Sequence, residues 1–422
     1  MDSTISEQTG ADPPAALGAS YNPFIPPQRD DPYPFYAQAR RAEPVCHIPY
    51  LNLWLVTRHE DVFAVLRDPA RFSSADFLKP MVPWPPELAR VLDSGYPEAP
   101  GLVNNDPPAH DRIRALFSAA FSPRRVAELA PRIHALAHAL VDQFVDQGHV
   151  DLVSHFADPL PMTVIGDLLG IPRSDIRMLK RWCDDRMLLY APEIPLEQKL
   201  VFAENYLQFQ RYCAAMIADR RANPRDDLTT ALVEARVEGL TPLTNAEIIV
   251  NILVLFFAGH ETTSSVIAQM VYLLLNDPDQ WRALHADRSL LPAAIEEGVR
   301  ITSPVQGEPR TTTEPVELGG VQLPAGARLH AMYASANHDE TVFPDPERFD
   351  IERDNLKRHL GFGWGVHFCL GASLARLELR IALETLLDRL PNLRLAPNFT
   401  PEFVPSFFLR NPTRLLLTWD TA

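Results

Sequence analysis

The chain has 422 residues, of which 46% are hydrophobic, and it carries a formal net charge of −15. That length allows a large buried core, while the acidic balance excludes the broad positive surface that nucleic-acid binding needs. The four cysteines are scattered and form no C-x-x-C pair, which predicts a reducing, cytoplasmic location without a disulfide framework; they are Cys46, Cys183, Cys213 and Cys369.

The first 20 residues are polar and rich in Pro, Gly and Ala, so we expect a mobile tail, followed by one domain over residues 21–422. The N-terminus lacks the basic and apolar regions of a signal peptide. The longest apolar run, IIVNILVLFFAG, is too short to cross a bilayer and contains Asn251. We therefore expect no membrane insertion.

The elements in chain order predict a mainly α fold with a minor β region. The segment DDPYPFYAQARRAEPV begins a helix, and NLWLVTRHEDVFAVLRD reads as a strand and then a helix. Residues 77–104 are proline-rich and irregular, and so long a loop is usually functional. Helical periodicity dominates from Asp106 onward, and late strands are predicted in VELGGVQLPAGARLHAMYA and TRLLLTWD.

The longest periodic segment is LTNAEIIVNILVLFFAGHETTSSVIAQMVYLLLND. Thr244 and Glu247 form a T-x-x-E capping box at its start, and Asp277-Pro278 ends it. About 32 residues at 1.5 Å each give roughly 48 Å, enough to cross a whole domain. The segment is apolar nearly all round, which predicts a buried central helix.

The middle of this helix, AGHETT, is polar. A mid-helix glycine costs about 1 kcal/mol, and a buried carboxylate such as Glu261 needs a partner. Two interpretations are open: a polar kink whose groups are satisfied, or a notch where a ligand meets an acid and an alcohol, Glu261 and Thr262. A zinc-protease H-E-x-x-H motif is excluded, because Ser264 stands in place of the second histidine.

A single cysteine precedes a helical pattern in FGWGVHFCLGASLARLELRIAL. The free N–H groups and dipole of a helix N-terminus favour a thiolate at Cys369, and the glycines around it leave room for a flat, bulky group. His367 and Cys369 supply at most two ligands, too few for structural zinc. A structural buried cysteine, a nucleophile with His367 as its base, and a thiolate ligand to haem remain open at this point.

Four motifs together resemble the cytochrome P-450 family. FGWGVHFCLG fits the haem loop F-G-x-G-x-H-x-C-x-G, AGHETT fits the oxygen-activating A-G-x-D/E-T-T, EEGVR contains the E-x-x-R pair, and FPDPERFD resembles the meander. The resemblance covers about residues 21–420. It implies a single catalytic domain shaped as a triangular prism, with the long central helix over haem b.

The resemblance also implies roles for individual residues. Cys369 would be the iron ligand within a loop that includes Phe362, Gly363 and Gly371. Thr262 would hydrogen-bond the bound dioxygen, Glu261 would feed protons, and Ala258 and Gly259 would leave room for oxygen. The haem propionates would be held by His110, Arg114, Arg310 and His359. Glu297 and Arg300 would form a structural pair near Arg348.

Segments that contact substrate in the family hold mostly apolar residues here, which suggests an apolar pocket; the candidates are Phe77, Trp84, Val254, Phe257, Val305, Glu308 and Phe407. Glu308 stands where similar proteins usually carry a small or apolar residue. It either pairs with Arg310, the favoured interpretation, or binds a cationic or hydroxylated substrate.

The implied activity is a bacterial-type monooxygenase that inserts one oxygen atom from O₂ into an apolar organic molecule, with hydroxylation as the default outcome. Electrons from NAD(P)H would arrive through a separate ferredoxin, since the sequence holds no Rossmann fingerprint and no cysteine cluster. A basic face would receive it, with the candidates Arg112, Lys357, Arg358, Arg376 and Arg380. Oxidative coupling, desaturation, nitration, a peroxide-driven reaction and a non-catalytic haem-binding protein are the alternatives.

Overall fold

The computed structural model describes residues 17–80, 82–97, 99–191 and 194–421, and within them the fold is mainly α. The α-helices are α1 (Tyr33–Ala42), α2 (His59–Arg67), α3 (Pro86–Leu92), α4 (Ala109–Ala120), α5 (Pro123–Glu128), α6 (Ala130–Val141), α7 (Pro159–Leu169), α8 (Ile176–Leu188), α9 (Leu196–Ala222), α10 (Leu228–Glu234), α11 (Asn245–Asn276), α12 (Pro278–Ala286), α13 (Leu291–Thr302), α14 (Tyr333–Ala336) and α15 (Ala372–Arg389). The predicted helical periodicity is confirmed by this set.

The minor β region consists of three small sheets. The strands are β1 (Val45–Ile48), β2 (Leu53–Val56), β3 (Phe72–Ser73), β4 (His149–Asp151), β5 (Glu308–Thr312), β6 (Val316–Leu318), β7 (Val321–Leu323), β8 (Arg328–Ala331), β9 (Arg394–Leu395) and β10 (Leu416–Thr418). One sheet has the order β1-β2-β8-β5-β3, a second has β4-β10-β9, and β6 pairs with β7. In the first sheet β2 and β8 are parallel, whereas the other neighbours are antiparallel.

Helix α11 is the predicted central helix, and its ends are confirmed. It runs for 32 residues from a complete capping box between Thr244 and Glu247 to Asp277. It packs against α7, α9, α13 and α15 in the main core. Among the described helices, α11 is the one with the length and hydropathy of a membrane span, but 56% of its most apolar stretch is buried. A buried core helix can have the same length and hydropathy, so these two properties are weak evidence for a membrane span.

The predicted tail requires a correction at its end. Leu17–Ser20 form a short 3-10 helix in which Gly18 is buried, and the Leu17 N–H donates to the Glu43 carboxylate at 3.0 Å. These four residues are folded onto β1, so a mobile segment does not reach residue 20. Residues 1–16 lie outside the described residues.

Candidate active site

The cysteine loop is shaped by its glycines. Gly363 and Gly365 adopt φ of 67° and 69°, the left-handed region that glycine enters without strain. The Cys369 N–H donates to the Phe362 carbonyl at 2.9 Å, which closes the loop. Gly371 is the N-cap of α15, and an added Cβ there would lie 3.9 Å from the Cys369 Sγ. The thiol therefore sits at a helix N-terminus beside a residue without a side chain.

The surroundings of Cys369 do not by themselves produce the thiolate that the sequence suggested. Burial raises the pKa of the Cys369 thiol, and the N–H of Gly371 and the nearby Arg114 oppose that shift only in part. Desolvation therefore raises the pKa of this thiol by more than the helix N-terminus lowers it. A bound metal ion would remove the proton outright, because a coordinating thiol is deprotonated.

Four side chains near this loop form a positive group, which we call the cation cluster: His110, His367, Arg114 and Arg310. The two histidine rings lie 4.4 Å apart, and their Nε2 atoms are buried without a partner in the described part of the chain. Burial lowers the pKa of His367 to about 3, and Arg310, His110 and Arg114 push it the same way. Nδ1 of His367 donates to the Leu102 carbonyl, and Nδ1 of His110 faces the Asp111 carboxylate, so each Nε2 can donate only when its ring is protonated. Carboxylates beside the rings would favour that protonated form and would pair with the two arginines, so the cation cluster fits the two propionates of haem.

His359, which was predicted to hold a propionate, is not part of the cation cluster. Its Nε2 lies 3.0 Å from the Glu296 carboxylate, and its Nδ1 accepts from the Gly361 N–H. Glu296 also binds Arg376 through two bonds. Both nitrogens of His359 are therefore engaged. The residue that sequence reasoning missed as a propionate contact is His367, which was considered only as a zinc ligand or as a catalytic base.

The middle of α11 is more accessible than its flanks. Ala258 is exposed, and Thr262 one turn later is partly exposed, although both belong to a core helix. The Thr262 hydroxyl donates to the Ala258 carbonyl at 2.8 Å. Gly259 was expected to leave room for oxygen, but it lies against α7, because a Cβ there would lie 2.7 Å from Cγ1 of Ile165. Gly259 thus allows α7 to pack closely, and only Ala258 keeps space beside the helix.

Glu261 is held by a buried polar network. Its Oε1 lies 2.8 Å from the Lys180 ammonium and 2.9 Å from His260 Nε2, and its Oε2 accepts from the Asn411 amide at 2.5 Å. Burial opposes ionisation, but His260 and Lys180 outweigh it and lower the pKa of Glu261 to about 2. Asp184, His260 and Glu261 lie close enough to bind a metal ion, yet Lys180 already supplies the positive charge there.

Some of the predicted pocket residues belong to an aromatic cluster. Phe77 packs edge-on against Phe408 with ring centroids 5.9 Å apart, and Phe408 stacks on Phe257 at 6.5 Å. Val254 lies one turn before Phe257 on the same face of α11. Val305 pairs by a backbone bridge with Leu409, next to Phe408. These residues join the 77–104 loop, α11 and the C-terminal segment.

Two of the pocket candidates lie elsewhere. Phe407 is 5% exposed and belongs to a separate core cluster, where it packs on Tyr21 and on His330 at 4.5 Å. Its neighbour Phe408, which belongs to the same predicted substrate-contacting segment Ser406–Phe408, joins the aromatic cluster instead. Trp84 packs on Tyr190 of the α8–α9 connection, with ring centroids 5.3 Å apart.

Glu308 forms the pair that was favoured. Its Oε2 accepts from Arg310 Nη2 at 3.2 Å and from the Tyr333 hydroxyl at 2.8 Å. The side chain is 24% exposed. Both contacts neutralise and orient the carboxylate, which leaves little of it for a cationic substrate.

Glu297 and Arg300 meet in a fully buried ion pair with two bonds of 2.7 Å. Arg300 also donates to the carbonyls of Asn337 and Arg348. Arg353, which sequence reasoning missed, adds a second cation to Glu297 at 3.1 Å. Two arginines share one carboxylate and donate their other N–H groups to carbonyls, so the network ties α13 to the segment before the cysteine loop.

The family follows from these features and from direct comparison. The family model for Cytochrome P-450 matches residues 53–418, so the chain belongs to the cytochrome P-450 family. It is 40% identical over 406 residues to nocardicin C N-oxygenase of Nocardia uniformis subsp. tsuyamanensis, covering 94% of this chain and 98% of that one. Mycinamicin IV hydroxylase/epoxidase of Micromonospora griseorubida is 40% identical and covers 91% and 94%.

Solved structures agree in fold. The cytochrome P-450 CREJ in complex with (4-ethylphenyl) dihydrogen phosphate superposes with a TM-score of 0.90 at 35% identity, covering 96% of this chain and all of that one. An intact type IV self-sufficient cytochrome P-450 monooxygenase also gives 0.90 at 34% identity, but this chain covers 53% of it. The predicted fold class is confirmed, and relatives exist in which this domain is about half of a longer chain.

Family membership confirms the class of activity. The chain is a monooxygenase that acts on small organic molecules. Its cofactor is haem b, its co-substrate is O₂, and redox partners supply the electrons.

Proposed function

We propose that this monooxygenase hydroxylates an apolar organic molecule, with Cys369 as the haem ligand and with Thr262 and Glu261 handling protons. The observation that carries the proposal is the position of the Cys369 thiol, at the N-terminus of α15 and beside the unpartnered histidine nitrogens of the cation cluster. That donor set matches a flat metal cofactor with two carboxylates. Haem, when bound, supplies an iron centre that activates dioxygen.

Cys369 would lose its proton on binding iron, and the cation cluster would bind the propionates. Arg310 keeps its bonds to Glu308 and to the Pro309 carbonyl in this arrangement, and its other N–H groups would bind the cofactor. Nδ1 of His367 already donates to the Leu102 carbonyl, and burial lowers the pKa of this ring to about 3. A carboxylate beside the ring would raise that pKa again, and the protonated His367 would then donate from its buried Nε2.

Thr262 and Glu261 would act on protons in different ways. The Thr262 hydroxyl hydrogen points to the Ala258 carbonyl, which leaves the oxygen lone pairs to accept a hydrogen bond on the accessible side. Glu261 is ionised because of its low pKa, so it must accept a proton before it can donate one. Lys180, His260 and Asn411 hold it in that state.

The apolar pocket and the exposed charges support the remaining parts of the proposal. Phe77, Phe257 and Phe408 favour an apolar substrate. A ferredoxin would dock at the exposed cations Lys357, Arg358 and Arg380; Arg112 and Arg376 are less suited, since they bind Glu247 and Glu296. All four cysteines are free, which supports a cytoplasmic location.

The test is the absorbance spectrum of the reduced protein with carbon monoxide. We expect the strongly red-shifted Soret band of a thiolate ligand in the native protein, and its loss in Cys369→Ser. Cys213→Ser, which alters another buried cysteine, is the matched control and should keep the band. A histidine-type band in the native protein, or an unchanged band in Cys369→Ser, would contradict the ligand assignment.

A further inference from the structure

Arg186 on α8 lies between two tyrosine rings. Its Cζ is 4.5 Å from the ring centroid of Tyr190 and 4.8 Å from that of Tyr206 on α9. Such stacking stabilises a guanidinium but satisfies none of its in-plane N–H donors along the fork. The two tyrosines also act on the guanidinium as hydrogen-bond partners, so the part that remains for a ligand is the edge at Nη1, which has no partner among the described residues.

Arg186 is half-buried, and it lacks the carboxylate partner that Arg300, Arg220 and Arg40 have. The influences on its pKa are burial and the two tyrosines, with no carboxylate among them. Its Nη1 atom is buried and has no hydrogen-bond partner among the described residues. A buried cationic N–H without a partner is costly, which favours an anionic partner from outside the chain.

The position of Arg186 connects it to the apolar pocket. The Tyr190 hydroxyl donates to the Leu78 carbonyl at 2.8 Å, and Leu78 follows Phe77, which packs on Phe408. Arg186 is thus connected through Tyr190 and Leu78 to the aromatic cluster beside α11. A molecule that fills the pocket and extends toward α8 would reach the guanidinium.

We propose that Arg186 binds an oxyanion, a carboxylate or a phosphate, carried at one end of the apolar substrate. The inference rests on the proposed function, since it concerns the same pocket. A charged end bound at Arg186 fixes the orientation of the substrate and leaves the apolar end near Phe257 and Ala258. Carboxylates and phosphates both match the planar fork of arginine.

The experiment compares acids with neutral analogues by equilibrium dialysis and by the spin-state change of the haem-loaded protein. The probes are dodecanoic acid and butylbenzoic acid with their methyl esters, and dodecyl phosphate with dodecanol. Within each pair that binds, we expect the anion to bind roughly tenfold to hundredfold more tightly than its neutral analogue, which corresponds to the free energy of a charge-assisted hydrogen bond. The preference between acid and phosphate tells which oxyanion the site takes.

The variants separate a binding role from a structural one. Arg186→Gln should remove the preference for anions, and Arg181→Gln, on the exposed side of α8, should keep it. Arg186→Lys retains the charge and should retain a smaller preference, which tests the idea if the glutamine variant does not fold. The inference is overturned if anions and neutral analogues bind alike, if no anion binds, or if Arg186→Gln lowers only the melting temperature. A normal carbon monoxide spectrum in that case would leave the proposed function standing.

Discussion

Whether Gly259→Ala stabilises or destabilises the protein depends on how Gly259 packs against one neighbour, Ile165. An added Cβ would lie 2.7 Å from Cγ1 and 3.0 Å from Cδ1 of Ile165, and overpacking of this kind costs about 1–3 kcal/mol. Alanine in mid-helix recovers about 1 kcal/mol relative to glycine. Gly259→Ala should therefore destabilise the native protein by roughly 0–2 kcal/mol, the difference of the two ranges.

Removing the neighbour should reverse the effect. In Ile165→Ala the two nearest atoms are absent and Cβ remains, 3.1 Å from the added Cβ. Gly259→Ala should then stabilise the protein by up to about 1 kcal/mol through helix propensity. The coupling energy between the two sites is about 1–3 kcal/mol. Urea unfolding of the haem-loaded proteins, followed by circular dichroism, measures the four free energies of the cycle. Equal effects of Gly259→Ala in both backgrounds would refute the packing argument.

The rate of carbon monoxide binding tests whether Gly259 lines the space for oxygen. If Gly259 lined the oxygen space, as the family resemblance implied, its alanine variant would slow the binding of carbon monoxide. The structure instead predicts an unchanged rate for Gly259→Ala and a slower rate for Ala258→Leu, because Ala258 is the exposed residue. Flash photolysis measures both rates, and a slowed rate in Gly259→Ala would restore the earlier interpretation.

Three further predictions concern single side chains. Thr262→Ala should release electrons as hydrogen peroxide while substrate binding is retained; the ratio of product formed to NAD(P)H consumed checks this, and an unchanged ratio contradicts the role. His367→Ala should weaken haem retention about tenfold by losing a bond worth about 1.5 kcal/mol, whereas His359→Ala should not; transfer of haem to apomyoglobin measures both. Arg376 and His359 overcome burial to lower the pKa of Glu296 to about 2, so its stabilisation is complete above about pH 5 and is lost as the pH falls toward 2. Glu296→Gln should flatten that part of the stability curve.

Local signals in the sequence were sufficient for α11 and for the cysteine loop. The capping box needs only Thr244 and Glu247, three residues apart, and both form their bonds. The glycines of the loop were readable because a left-handed φ excludes most other residues. Glu297 and Arg300 share a helix face by spacing alone. Each of these features is decided within one element, which is why pattern and spacing could predict it.

Features that depend on distant packing could not be predicted. Phe407 and Phe408 are equally apolar, and only the register of the C-terminal segment decides which one meets Phe77. His359 and His367 both flank the glycines, and Glu296 from α13 decides which histidine is engaged. Lys180 comes from α8, far from Glu261 in sequence, and nothing in AGHETT identified the element that would supply its counter-charge.

Helix α8 shows how one element can serve two needs. Lys180 and Arg186 are six residues apart, and at about 100° per residue their side chains lie about 120° apart around the helix. Lys180 lies between Asp184 and Glu261, so its charge is fully used inside the protein. Arg186 faces tyrosine rings and no carboxylate, so its charge remains for a ligand. The same helix thus keeps Glu261 ionised through Lys180, and under the proposed binding role of Arg186 a substrate anchored there would lie against the helix that holds the proton-handling carboxylate.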